Sequence, residues 1–201
     1  MKSQKLNQSF YLNKDVINVA KKLLGKILVT NINNTITSGI IVETEAYAGI
    51  DDKASHAYNN KRTQRTETMY EKGGVSYIYL CYGMYYLFNV VTNINNIPHA
   101  VLIRAVEPLD GINKMKKRRK IKGSKYNFTN GPGKLSIALG IDNSFNGESL
   151  LSDKIWIEDN GIKFSKKDIL SSPRIGVDYA KEDIKLPYRF YIKDNKWISK
   201  L

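Results

Sequence analysis

Cysteine and histidine are nearly missing from this chain: Cys81 stands alone, and His56 and His99 are its two histidines. A lone cysteine can form no intrachain disulfide, which suits a reducing cytoplasm. One cysteine and two histidines cannot assemble a Cys/His zinc site. The H-x-E and P-C-x-x-C signatures of the zinc deaminases are absent as well, so no metal and no cofactor is expected. Long apolar runs are also missing. Nothing approaches the roughly 18 residues that a membrane helix needs. The opening MKSQKLNQSFYLN has no apolar centre for a signal peptide. The chain reads as cytoplasmic, with no membrane partner.

The remaining shortage is of acid. Nineteen Asp and Glu stand against 32 Lys and Arg, a net charge of +13, and the sequence pI is about 9.6. A domain pI above about 9 is the electrostatic footprint of a nucleic-acid binder. A composition rich in Lys, Asn and Ile together gives the same excess by drift, so charge points to a polyanion without saying which.

At 201 residues and 42% hydrophobic content the chain fits one domain, residues 1–201, with a real core. In LNKDVINVAKKLLG, Val16, Ile17, Ala20, Leu23 and Leu24 form one helical face that Gly25 closes. Strand patterns follow in KILVT and TITSGIIVETEAY, separated by the turn-like NINN. From Asp51 to Glu71 the chain is polar and reads as a long loop. SYIYLCYGMYYLFNV, residues 76–90, reads as a hairpin turning at Gly83. HAVLIRAVEPL is a further strand, and DGINKMKKRRKIKGSKYN a basic helix or loop with Asp110 as its cap. GPGKLSIALGI reads as a glycine turn opening a short helix, and DKIWIED and PYRFYIKDN as late strands. The fold class is therefore mixed α/β (α+β): a mostly antiparallel curved sheet, flanking helices and a protruding Tyr-rich hairpin.

Four clusters could do chemistry. In ETEAYAG, period-2 alternation places Glu43, Glu45 and Tyr47 on one strand face. A carboxylate in such an apolar segment costs free energy unless it is paired or functional, although pairing with surface lysines is the plainer reading. His56, in DDKASHAYNNKRTQRT, is by itself more often a satisfied structural histidine than a working one. Arg104 lies inside an apolar strand and wants a carboxylate, with Glu45 and Glu107 as candidates. GPGK lacks the spacing of a nucleotide P-loop, yet a glycine turn at a helix start can hold one phosphate on free N–H groups. The hairpin adds an oddity: Tyr77, Tyr79, Tyr82, Tyr85 and Tyr86 crowd a segment that needs a single apolar row. Tyr82, directly before Gly83, is the most exposed position. Exposing a bulky ring there is costly unless something stacks on it, and such wedges enter base steps in several minor-groove binders.

Taken together, these residues resemble the alkyladenine (3-methyladenine) DNA glycosylase family. The matching segments are VETEAYAGIDDKASHA, YIYLCYGMYYLFNVV, AVLIRAVEPL, NGPGKLSIALGI and RIGVDYA…LPYRFYI, in the family's order from about Leu12 to Trp197. The resemblance implies a monofunctional enzyme that excises flipped, alkylated purines from duplex DNA in base-excision repair, and it leaves open whether hypoxanthine and ethenoadenine are further lesions. It implies a monomer acting at the nucleoid. By the same resemblance Glu45 is the general base that activates water for attack on C1′. Arg104 helps hold that water, beside a backbone carbonyl near residues 175–177. Tyr47, His56 and Tyr79 sandwich the extruded base, and Asn89 disfavours the 2-amino group of guanine. Tyr82 fills the gap in the helix, flanked by Met84 and Tyr85. Arg65, Lys72, Gly133 and Lys134 are the expected phosphate contacts.

The chain departs from the family pattern in two places. RTQRTET stands where R-T-P-R-N is expected, so Gln64 and Thr66 replace proline and asparagine, which bears on loop rigidity and phosphate contacts. Tyr85 and Tyr86 replace the histidine–tryptophan pair of bacterial relatives. Two other classes fit parts of the pattern. A damage-binding protein without activity would keep the charge and hairpin but has no need of Glu45 with Arg104. An RNA-binding module would spread aromatics over a sheet face in an RNP-like pattern, which is not present.

Overall fold

The spine of the molecule is β3 (Thr35–Tyr47), a 13-residue strand rich in β-branched residues. The computed structural model describes residues 3–121 and 126–200. Residues 122–125, inside the basic stretch 110–127, lie outside the described residues. β2 (Ile27–Ile32) leads into β3 through Asn33 and Asn34, with φ of 50° and 60°. Two successive left-handed residues make the mirror-image turn that matches strand twist, and asparagine tolerates that conformation. The strand therefore runs on through Asn31 and Ile32, and the turn is shorter than NINN.

On its other side β3 pairs with β6 (His99–Pro108), then β5 (Tyr85–Thr92) and β4 (Ser76–Cys81). Beyond β2 lie β7 (Ile155–Asp159) and β1 (Gln4–Lys5), giving the order β1-β7-β2-β3-β6-β5-β4. β9 (Arg189–Ile192) pairs with the far half of β3, at Glu43–Glu45, and with β8 (Ile169–Ser172). The named strand pairings are antiparallel. The β3–β6 register slips between Ile41 and Glu43 and again before Thr44. Bulges of this kind re-aim side chains and are frequent beside active sites.

The helices cover the sheet. α1 (Gln8–Tyr11) is a single turn. α2 (Val16–Leu23) is capped by the Asp15 carboxylate, which accepts the Asn18 N–H at 3.0 Å, and it buries Val16, Val19, Ala20 and Leu23. Val19, rather than Ile17, completes the buried face. α3 (Ile112–Arg119) is capped at Gly111, not Asp110, because the Asp110 carboxylate instead accepts the Ser38 hydroxyl at 2.7 Å. α4 (Pro132–Leu139) starts with proline in its first turn, as expected after the GPG sequence. The main core lies between these helices and the sheet, around Leu23, Ile41, Phe88, Ile103 and Leu135. The polar segment 51–71 is more ordered than its composition predicts. Two short 3₁₀ turns, Tyr58–Asn60 and Glu67–Tyr70, bring Met69 and Tyr70 into a second core with Tyr77, Val91 and Ala100.

Candidate active site

One row of paired residues crosses five strands: Arg189 faces Glu45, Glu45 faces Leu102, Leu102 faces Asn89, and Asn89 faces Tyr77. Residues directly opposite one another share a sheet face. Period-2 alternation adds Glu43, Tyr47 and Tyr79 to that face. The topology thus brings the ETEAY strand and the Tyr-rich hairpin, some 35 residues apart in sequence, to one surface.

Glu45 is fully buried. Its Oε1 accepts from the Ile175 amide at 2.8 Å and lies 3.0 Å from Arg104 Nη1, and its Oε2 accepts from the Tyr47 hydroxyl at 2.9 Å. Burial, and then the Glu45 charge, hold the Tyr47 phenol far above its ordinary pKa, so it remains a donor. Arg104 takes two carboxylates, since its Nε also donates to Glu43 Oε1 at 2.9 Å. Glu107 is not its partner and accepts instead from Asn195 at 3.0 Å. Neither Glu43 nor Glu45 lies on a solvated face. Ile175 reaches Glu45 through its amide, whereas the resemblance pointed to a backbone carbonyl in that segment.

Tyr47, His56, Tyr79 and Asn89 come together around a cavity of about 30 Å³, which holds a water molecule or two but not a purine. The His56 and Tyr79 rings meet edge to face at 4.5 Å. Asn89 donates through Nδ2 to the Tyr77 carbonyl at 3.1 Å. His56 Nε2 lies 3.3 Å from Arg65 Nη2, and its Nδ1 is 2.9 Å from the Tyr77 hydroxyl. A guanidinium can only donate, so Nε2 accepts and Nδ1 carries the proton. Burial foremost, with the Arg65 and Lys61 charges, lowers the His56 pKa to about 4, which leaves the ring neutral. The Arg65 guanidinium stands 5.1 Å over the Tyr79 ring. Arg65 does not line the cavity itself but a neighbouring, more open pocket that it shares with Gln64, Tyr79 and Asn146.

The hairpin turns at Tyr82 and Gly83, with φ of 51° and 67°, closed by the Met84 N–H on the Cys81 carbonyl at 3.1 Å. Tyr82 is 83% exposed and Met84 66%. The five tyrosines therefore divide: Tyr77 and Tyr79 wall the cavity, Tyr82 and Tyr85 stand at the tip, and Tyr86 packs on the main core. A side chain at Gly133 would meet the Tyr85 ring at 2.7 Å, so glycine there lets α4 seat the tip. Lys134 Nζ donates to Asn127 and Asn130 at 2.7 and 3.0 Å, and Lys72 is exposed. Between the tip and α4 runs a groove lined by Tyr82, Tyr85, Arg119, Gly133 and Lys134.

The chain matches the methylpurine-DNA glycosylase family model over residues 9–196. It belongs to that family. A Clostridium perfringens (strain 13 / Type A) relative, named "Putative 3-methyladenine DNA glycosylase", is 48% identical over 98% of this chain and 99% of its own length. A Chlamydia felis protein of the same name is 52% identical over 95% and 97% respectively. The activity class of this methylpurine-DNA glycosylase family member is DNA N-glycosylase, a hydrolase of DNA repair.

Several site residues of this glycosylase were not evident from its sequence. Asp52 and Arg174 form a buried two-point pair at 2.5 and 2.8 Å, and the Arg174 guanidinium lies 4.9 Å over Tyr47, bracing it. Tyr179 overhangs the cavity and donates to the Ala54 carbonyl at 2.9 Å. Arg189 joins Glu43 at 2.7 Å. Arg189 alone carries a sequence signal, a charge inside apolar surroundings in RFYI. Among the described residues no group of three His, Cys, Asp or Glu is placed to hold a metal ion, and no helix is long and apolar enough to cross a membrane.

Proposed function

We propose that this chain excises alkylated purines of the 3-methyladenine kind from duplex DNA by turning the lesion out of the helix and hydrolysing its glycosidic bond. The observation that carries this reading is Glu45. It is a buried carboxylate fixed by Arg104, the Ile175 amide and Tyr47, directly behind an aromatic pocket. Oε1 already takes two donors and Oε2 takes one, which leaves a lone pair on Oε2 for a water.

In this mechanism Glu45 accepts a proton as the water oxygen bonds to C1′. The C1′–N bond breaks with its electron pair leaving on the base. The sugar passes through an oxocarbenium-like state that the carboxylate charge stabilises. Purines methylated at N3 or N7 are cationic, so they stack favourably on Tyr47 and Tyr79 and leave as neutral molecules. Hypoxanthine and ethenoadenine are neutral and form the slower class. Arg65, in the open pocket beside the cavity, meets the DNA backbone. Tyr82 fills the gap, and Lys72, Gly133 and Lys134 meet phosphates. The protein works as a monomer.

The test is incubation with a duplex carrying one defined lesion, followed by alkaline cleavage at abasic sites. Wild type releases the base, while Glu45→Gln binds the lesion duplex normally and excises it about 10²–10⁴-fold more slowly, the usual worth of a general base. Excision by that variant within tenfold of wild type would sink the assignment.

A further inference from the structure

Glu43 is fully buried, and no step above uses it. Its Oε1 accepts from Arg104 Nε at 2.9 Å, Arg189 Nε at 2.7 Å and the Ser199 hydroxyl at 2.8 Å, and its Oε2 accepts from the Ser199 amide at 2.6 Å. The Ser199 hydroxyl oxygen also lies 3.3 Å from Arg104 Nη2. Arg189 holds the same segment through the Lys200 carbonyl. The irregular segment after β9 is thus tied down on the very carboxylate that orients Arg104.

The arrangement constrains Arg104 strongly. A guanidinium is a rigid planar fork, so fixing Nε on Glu43 and Nη2 on Ser199 dictates where Nη1 points. It points at Glu45. Charge matters as much as geometry. Arg104 and Arg189 are two buried cations close to Glu45, and Glu43 balances one of them, so two carboxylates and two guanidiniums leave the cluster neutral. Around Glu43 stand Arg104, Arg189 with the Tyr191 ring beneath it, and Ser199. Around Glu45 stand Arg104, Tyr47, Tyr79, Tyr179 and the Arg174–Asp52 pair.

We propose that Glu43, clamped by the Ser199 strap, is a positioning residue: it aims Arg104 at Glu45 and balances one of the two buried guanidiniums beside it. The inference rests on Glu45 being the general base. With Glu43 neutralised, Arg104 loses the anchor of its Nε, and one buried guanidinium is left without a counter-charge. That uncompensated positive charge opposes the developing oxocarbenium.

The experiment measures single-turnover excision of a duplex containing 7-methylguanine, with lesion affinity and folded fraction determined on the same samples. Glu43→Gln should lose about 10²-fold in rate per folded molecule at unchanged lesion affinity. Glu43→Asp and Ser199→Ala keep the charge and disturb the aim. They should lose roughly three- to tenfold in rate at unchanged affinity, so Glu43→Asp recovers most of what Glu43→Gln loses. A structural role alone would lower the folded fraction and leave the rate per folded Glu43→Gln molecule at the wild-type value, which overturns the proposal. If Glu43→Gln does not fold, Ser199→Ala decides, and a wild-type rate there overturns it equally. A Glu45→Gln variant that still excises refutes the base assignment instead, so the two failures are separable.

Discussion

His56 shows how a single side chain reports on the pocket. Its ring is held neutral, with a pKa of about 4 against 6.5 for a free histidine, because burial and the Arg65 and Lys61 charges oppose protonation. Between those values the unfolded chain binds a proton that the folded chain does not, so stability falls as pH drops from about 6.5 to about 4. Above 6.5 both states are neutral and the contribution vanishes. At pH 5 the difference amounts to as much as about 2 kcal/mol. Urea unfolding of wild type and His56→Asn at pH 7 and pH 5 isolates it, because every other titrating group is common to both proteins. The variant should lose less stability on acidification. Equal losses would mean that the ring titrates normally. A second prediction belongs to the same corner of the pocket. Arg65→Ala removes a positive charge 5.1 Å from the Tyr79 ring and should bind a free cationic purine more tightly than wild type does, which calorimetry reads directly. Weaker binding would show that Arg65 is part of the seat rather than a competing charge.

At the scale of elements, the hairpin between β4 and β5 trades stability for exposure. Tyr82 has a φ of 51°, a conformation that costs a non-glycine residue about 1–2 kcal/mol. Asparagine followed by glycine is the preferred pair for such a turn. Tyr82→Asn should therefore raise thermal stability slightly while weakening binding to a lesion duplex by the ~1–3 kcal/mol that aromatic stacking on a base contributes. Loss on both counts would make Tyr82 a structural residue. Strands, hairpin and the α4 turn were legible because period-2 alternation, Asn-Asn and Tyr-Gly turns and GPG carry local signals. So was the pairing of Arg104 with Glu45, through charge inside an apolar strand. What sequence could not convey was partnership at a distance. Arg189 and Glu43 lie 146 residues apart, and no local pattern joins them. The segment 51–71 was misjudged for a related reason: Met69 and Tyr70 fold back onto Tyr77, and polar Asp52, Ser55, Thr66 and Thr68 are buried as well, a packing that composition conceals. The cap at Gly111 was missed because Asp110 had a better acceptor role toward Ser38.

At the scale of the whole molecule, a set of basic residues gathers beside the hairpin. The sheet order places the β4–β5 hairpin at one end and β1 at the other. The hairpin end carries the groove between Tyr85 and α4, with Arg119 and Lys134 on its walls, and the last turn of α3 adds Lys116, Lys117 and Arg118. At the other end Lys5 is spent on an ion pair with Asp153 at 2.7 Å. Binding to DNA releases about 0.9 counterion per neutralised phosphate on a log–log plot of affinity against salt. If the hairpin end is the DNA face, Lys134→Gln should flatten that plot by about 0.9, because its ammonium is held by Asn127 and Asn130 at the mouth of the groove. Lys5→Gln changes the net charge by the same amount and should leave the slope unaltered. Titrations of a lesion-bearing duplex at several salt concentrations decide between them. Equal slopes for both variants would mean that the protein attracts DNA through its overall charge rather than through this face, and the groove beside Tyr85 would lose its assignment.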